Sequence, residues 1–150
     1  MSAFLPSIQA QILELMKNLT RDLGVAMIII THNLGVVARY ADRVNVMYAG
    51  KIIESGSAAD IYYRPHHPYT LALLKSVPRM DQQGQAKLDP VEGQPPDLTM
   101  LDQGCAFRPR CRFATEECSN SLPSLESVAD GHATACFHKD QVAATMKEAS

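Results

Sequence analysis

The chain has 150 residues, 46% of them apolar and 20% charged, with a formal net charge of -2. That length suits one domain with a real core, and the near-neutral balance excludes nucleic acid or anionic lipid as a partner held by bulk charge. No apolar run approaches the roughly 20 residues that a bilayer requires, and no basic stretch leads into an apolar core and cleavage site at the start, so a cytoplasmic protein with reduced or metal-bound cysteines is expected.

From Ser7 to Leu23 the residues Ile8, Ile12, Leu15 and Leu19 recur at helical spacing, and Leu13, Met16 and Leu23 widen the stripe. Ser7 suits the N-cap, and Gly24 the left-handed residue beyond the last turn. The stretch Val25-Ala26-Met27-Ile28-Ile29-Ile30-Thr31-His32 has no polar alternation. It reads as a strand buried on both faces in a parallel sheet, half of an α/β repeat. Thr31 and His32 then fall at the carboxyl end of the strand, where ligands bind in open α/β sheets. On the residues alone, His32 is either such a ligand-facing group or an imidazole satisfied by neighbouring backbone.

A short helix is expected over Leu34 to Tyr40, then strands over Arg43 to Tyr48 and Lys51 to Glu54 around an Ala49-Gly50 turn. Ser57 suits the cap of a helical turn through Asp60 and Tyr63. In Arg64-Pro65-His66-His67-Pro68-Tyr69-Thr70 the two prolines hold the backbone extended before a helix that starts near Pro68. That helix has Leu71, Leu74 and Val77 on its apolar face and ends at Pro78. The paired histidines could bind metal, but a proline-fixed bend whose aromatic residues pack back on the domain explains them better. Asp42 and Glu54 read as ordinary surface or turn charges. Arg79 to Asp97 is polar and proline-rich, a linker. Gly104 to His138 holds all four cysteines and little periodicity.

The ordered series of helix, apolar strand, Thr31-His32-Asn33, short helix and Val46-Met47-Tyr48-Ala49-Gly50-Lys51-Ile52-Ile53-Glu54-Ser55-Gly56 resembles the second half of an ABC-transporter ATP-binding domain. Pro65-His66-His67-Pro68-Tyr69-Thr70-Leu71 and Gly93-Gln94-Pro95-Pro96-Asp97-Leu98 resemble the C-terminal extension of the subfamily that imports oligopeptides and dipeptides. The resemblance runs from about Ser7 to His138. It implies an α/β fold: the C-terminal half of a P-loop NTPase-like ATP-binding domain over 1–63, the importer extension and linker over 64–98, and a small irregular cysteine-bearing segment over 99–150. It further implies that His32 is the switch histidine contacting the γ-phosphate of ATP. An imidazole suits that role because it can donate to a phosphate oxygen while holding a partner side chain.

The departures from the family pattern are large. There is no G-x-x-x-x-G-K-[ST] loop, no buried strand ending in Asp-Glu and no Ser-Gly-Gly-Gln segment. Leu5, in Ser2-Ala3-Phe4-Leu5-Pro6-Ser7, stands where the family usually has an aspartate. Phosphoryl transfer rests on positioning and charge stabilisation, so this chain alone is expected not to hydrolyse ATP. In a complete subunit the resemblance implies ATP and Mg as ligands, with a second ATP-binding subunit and membrane permease subunits as partners. It places that subunit on the cytoplasmic face of the membrane.

Cys105, Cys111, Cys118 and Cys136 are separated by five, six and seventeen residues, and no C-x-x-C pair occurs. The spacing leaves two readings open: a tetrahedral four-cysteine site for zinc or an iron–sulfur cluster, or four buried thiols. His132 and His138 flank Cys136 and could replace one ligand, while Arg108, Arg110 and Arg112 are expected to lower the thiol pKa values. Some peptide-importer subunits with this extension carry a 4Fe–4S cluster, so the resemblance favours that cluster over zinc. Two other readings remain: a stand-alone metal or iron–sulfur module, and an inactive truncated product with an exposed, association-prone apolar edge. The partial ATP-binding reading requires Val25 to Ile30 in a parallel sheet.

Overall fold

The computed structural model describes residues 8–76, 91 and 93–147. The chain divides into two compact units, Met1–Ala41 and Asp42–Ser150.

In the first unit the expected helix is α1 (Ile8–Leu23); its expected cap, Ser7, lies outside the described residues. Gly24 closes α1 at φ +64°. Its N–H reaches the Arg21 carbonyl at 3.4 Å, and the Val25 N–H reaches that of Thr20 at 3.1 Å. These are the two contacts that satisfy the orphan carbonyls of a helix C-terminus. Helix α2 (Leu34–Tyr40) is capped by the Asn33 side chain, which accepts from the Val36 N–H. Tyr40 joins the two helices: its hydroxyl donates to the Ala10 carbonyl at 3.2 Å, and the Lys17 ammonium and Arg39 guanidinium stand 5.9 and 5.6 Å from its ring.

Between these helices the expected strand is absent. Val25 to Ile30 has no strand assignment, and Val25, Ile28 and Ile30 are 54%, 91% and 96% exposed. A strand needs a neighbour for its backbone N–H and C=O groups, and among the described residues of this unit there is none. The composition of a buried strand is present without the sheet that would bury it. α1 likewise has no buried residue.

The second unit holds a four-stranded sheet in the order β1-β2-β4-β3, antiparallel throughout. The parallel sheet expected from the sequence does not occur among the described residues. β1 (Arg43–Tyr48) and β2 (Lys51–Ser57) form the expected hairpin. Its two turn residues, Ala49 and Gly50, both take positive φ, 48° and 77°, the turn whose twist matches the flanking strands. Ser57 caps α3 (Ala58–Tyr63) by accepting the Asp60 N–H at 3.1 Å and donating to the Asp60 carboxylate at 2.6 Å. In α4 (Pro68–Lys75) the N-cap is His67, whose Nδ1 accepts the Tyr69 N–H, with Pro68 opening the helix. Val77, Pro78 and most of the expected linker lie outside the described residues.

The cysteine-bearing segment is more regular than expected. It contains a 3-10 turn at Arg108–Arg110, α5 (Glu116–Asn120), β3 (Glu126–Ala129), β4 (His132–Thr134) and α6 (Lys139–Lys147). β4 joins β2 through Glu54 opposite Thr134 and Ser55 opposite Ala133, so the two ends of the unit share one sheet. The core forms where Phe107 meets Tyr48 and Ile53. Tyr69 completes an aromatic triangle, with ring centroids 4.6 Å from Tyr48 and 5.4 Å from Phe107, and Tyr48 and Phe107 5.2 Å apart. Among the described residues no helix is long and apolar enough to cross a membrane.

Candidate functional site

The fold brings Cys105, Cys111, Cys118 and Cys136 to the wall of one small cavity of about 10 Å³. Cys118 is buried and the other three are half-buried, and none forms a disulfide. Close backbone approach makes this convergence possible. The Cys105 N–H donates to the Cys118 carbonyl at 2.8 Å. A Cβ on Gly104 would lie 2.6 Å from the carbonyl oxygens of Cys118 and Ser119, so only glycine fits beside them. Asp102 braces the same corner, accepting from the Gly104 N–H at 3.0 Å and from Arg108 at 2.8 Å.

The His138 N–H donates to Cys136 Sγ at 3.4 Å, and the N–H groups of Phe107 and Phe113 act in the same sense on Cys105 and Cys111. Such donors favour a charged sulfur. Burial opposes them and prevails: it pushes the thiols of Cys105 and Cys111 up, and that of Cys136 up to about 12. Arg108 and Arg112 do lower Cys105 and Cys111, as expected, but burial outweighs them and the net shift is upward. Arg108 is committed to Asp102, Arg110 to the Val91 carbonyl and the Tyr48 hydroxyl, and Arg112 lies over the Phe113 ring. The raised values keep Cys105, Cys111 and Cys136 protonated at neutral pH, packed as small apolar groups.

Four thiols around one cavity are, in chemistry, a donor set for a thiolate-bound metal group. The sulfurs have not closed to ligand spacing, however. Among the described residues no group of three or more His, Cys, Asp or Glu side chains stands ready to hold an ion.

Behind the cavity lies a polar cluster that the sequence reading missed. Glu54, expected at the surface, is 0% exposed. Its carboxylate accepts the His66 N–H at 2.6 Å and the His67 N–H at 3.2 Å, and His132 Nε2 stands 3.0 Å from the same carboxylate. His132 is thus committed to Glu54 and does not replace a cysteine ligand. His138 does line the cavity, with its Nε2 3.0 Å from the Thr115 hydroxyl. The expectation that His66 and His67 pack back on the domain holds. His67 is buried with its ring 5.9 Å from that of Phe107, and the His66 ring stands 5.1 Å from that of His132. Burial pushes His67 down to about 4, and burial followed by the neighbouring His132 lowers His66. The signal available in the sequence was the proline-flanked pair, since two successive buried N–H groups need an acceptor.

In the first unit His32 is exposed on a bend. Beside it the Thr31 hydroxyl accepts the Asn33 N–H at 3.0 Å, and Asn33 starts α2.

Residues 53–118 match the family described as "Oligopeptide/dipeptide transporter, C-terminal region", the stretch that contains Glu54, His66, His67 and three of the four cysteines. The chain carries the C-terminal region of that transporter family. It is 50% identical over 135 residues to the dipeptide transport ATP-binding protein DppD of Bacillus subtilis, covering 90% of this chain and 40% of that one. It is 48% identical over 131 residues to the oligopeptide transport ATP-binding proteins OppD of Salmonella typhimurium and of Escherichia coli, covering 87% of this chain and 38% of each. The chain thus spans about two fifths of the length of these relatives. The requirement that Val25 to Ile30 lie in a parallel sheet is not met, yet the similarity to ATP-binding proteins extends across most of the chain. The strand failed for want of neighbours, and the resemblance it belonged to stands.

Proposed function

We propose that this chain is the C-terminal portion of the ATP-binding subunit of an oligopeptide or dipeptide importer. The similarity to DppD and OppD over about nine tenths of the chain carries that reading. In a complete subunit, ATP and Mg bind elsewhere in the domain, and His32 is the switch histidine beside the γ-phosphate. The partners are a second ATP-binding subunit and membrane permease subunits, at the cytoplasmic face of the membrane. The exposed apolar ribbon from Val25 to Ile30 is the surface that the remaining sheet of such a domain covers.

We further propose that Cys105, Cys111, Cys118 and Cys136 hold an iron–sulfur cluster of the 4Fe–4S type, with zinc as the competing occupant. Cluster binding supplies the charge compensation that the buried thiols lack and locks Cys136, at the end of β4, to the Cys105–Cys118 corner. Its role is structural. The test is metal analysis and visible absorbance of the chain purified without oxygen, with ATP hydrolysis assayed on the same sample. Bound iron, a broad visible absorbance and no turnover are expected. Zinc or no metal contradicts the cluster, and turnover dependent on His32 contradicts the view that this chain lacks a working phosphate site.

A further inference from the structure

We infer that the second unit carries a binding site for a small carboxylate with an apolar body, in a cavity larger than the four-cysteine one. The inference does not depend on the cluster reading above. The cavity has a volume of about 200 Å³. Its floor is the core itself, Tyr48, Ile53 and Phe107. Its rim is Ile52, Leu122 and Leu125, which stay 43%, 45% and 47% exposed. The hairpin register shapes one wall. Met47 lies opposite Ile52 and Val46 opposite Glu54, so Ile53 has no residue of its own across the pair. Such a bulge breaks the strict alternation of strand side chains, and the successive residues Ile52 and Ile53 both line the cavity.

Size and wall chemistry select the apolar body. Drug-sized molecules occupy pockets of roughly 300 Å³ or more, whereas an apolar cavity of about 150 Å³ admits a benzene ring. A single ring or branched chain suits the volume here. Lys51 selects the charge. It lines the cavity, and its ammonium has no ion-pair or hydrogen-bond partner among the described residues. The other polar side chains on the wall are engaged or neutral. The Tyr48 hydroxyl accepts from Arg110 at 3.3 Å, His67 caps α4 through Nδ1, and burial keeps the Cys105 thiol protonated. Among the described residues no carboxylate lines the cavity. One unpaired cation on an otherwise apolar wall complements a ligand with one carboxylate on one apolar group.

The test is titration of the chain with 3-phenylpropionate, followed by amide and methyl NMR at neutral pH. The neutral 3-phenylpropanol and the cationic 3-phenylpropylamine serve as matched probes with the same ring. Saturable shifts at Ile52, Ile53, Phe107 and Leu125 are expected with the carboxylate. The alcohol should bind roughly two- to fivefold more weakly, the worth of one exposed ion pair, and the amine more weakly still. Lys51→Gln should bring the carboxylate down to the affinity of the alcohol, and Leu125→Glu, which sets an acid at the rim, should weaken it further. Both positions are exposed, and the same spectra report whether each variant is folded. The comparison of the three probes on the unmutated chain stands even if a variant does not fold. No saturable shift at these residues, or equal binding of carboxylate and amine, overturns the inference. Carboxylate binding unchanged in a folded Lys51→Gln chain overturns it as well.

Discussion

Glu54 and His132, 78 positions apart in the chain, meet in the interior with His132 Nε2 3.0 Å from Glu54 Oε1 and both side chains shut off from solvent. The same carboxylate holds the His66 and His67 N–H groups. One buried group therefore ties the β1–β2 hairpin, the proline–histidine loop and the strand that leads to Cys136. Removing it takes this partner from the His66 and His67 N–H groups and from His132 Nε2. Glu54→Ala should destabilise the second unit by roughly 3–5 kcal/mol, and Glu54→Gln, which retains an acceptor oxygen, by roughly 1–3 kcal/mol. Urea unfolding measures both. Equal, small losses would mean that the cluster is solvated and contributes little.

The buried ring of His67 makes stability depend on pH. Its pKa is about 4 in the folded chain against an ordinary 6.5. Above 6.5 the ring is neutral in both states. Below it the unfolded chain takes up a proton that the folded chain refuses. Stability should therefore fall as pH drops from about 6.5 to about 4, by on the order of 3 kcal/mol. His66, lowered for the same reason, acts in the same direction. Urea midpoints across that window check the sign, and a midpoint that rises as pH falls would contradict it.

Gly104 sits where added bulk has nowhere to go. Gly104→Ala would place a methyl 2.6 Å from two backbone carbonyl oxygens and 2.9 Å from Arg108. It should cost roughly 1–3 kcal/mol and separate Cys105 from Cys118. A lower melting temperature with weakened iron retention is the expected outcome, and an unchanged melt would mean that the corner yields freely.

Exposed apolar residues concentrate in the first unit, with Ile28 and Ile30 almost wholly in solvent. An unpaired apolar ribbon invites pairing with another chain. Sedimentation at rising concentration should reveal association of the chain, and Ile28→Lys with Ile30→Lys should reduce it. A wild-type chain monomeric at high concentration would contradict this expectation.

What the sequence made legible follows from how local each signal is. α2, the first hairpin strand, the Ser57 cap and the start of α4 rest on spacing, turn chemistry and proline and occur where expected, while β2 starts at Lys51 as expected but runs to Ser57, past the expected end at Glu54. The run from Val25 to Ile30 failed because strand formation depends on a neighbour and composition does not. β3 and β4, of four and three residues, are too short to show a period. Glu54 misled because burial of its charge depends on partners at positions 66, 67 and 132, none of them near in sequence. The four cysteines were visible as a set, but their convergence depends on Gly104 and on β4 joining β2, which only the fold reveals.

Iron and acid-labile sulfide, determined per chain in protein purified without oxygen, test the central claim most directly. The account predicts iron and sulfide in equal amounts, lost when any one of Cys105, Cys111, Cys118 or Cys136 is replaced by serine. A folded chain that contains neither, with all four thiols titrating as free cysteine, would contradict it.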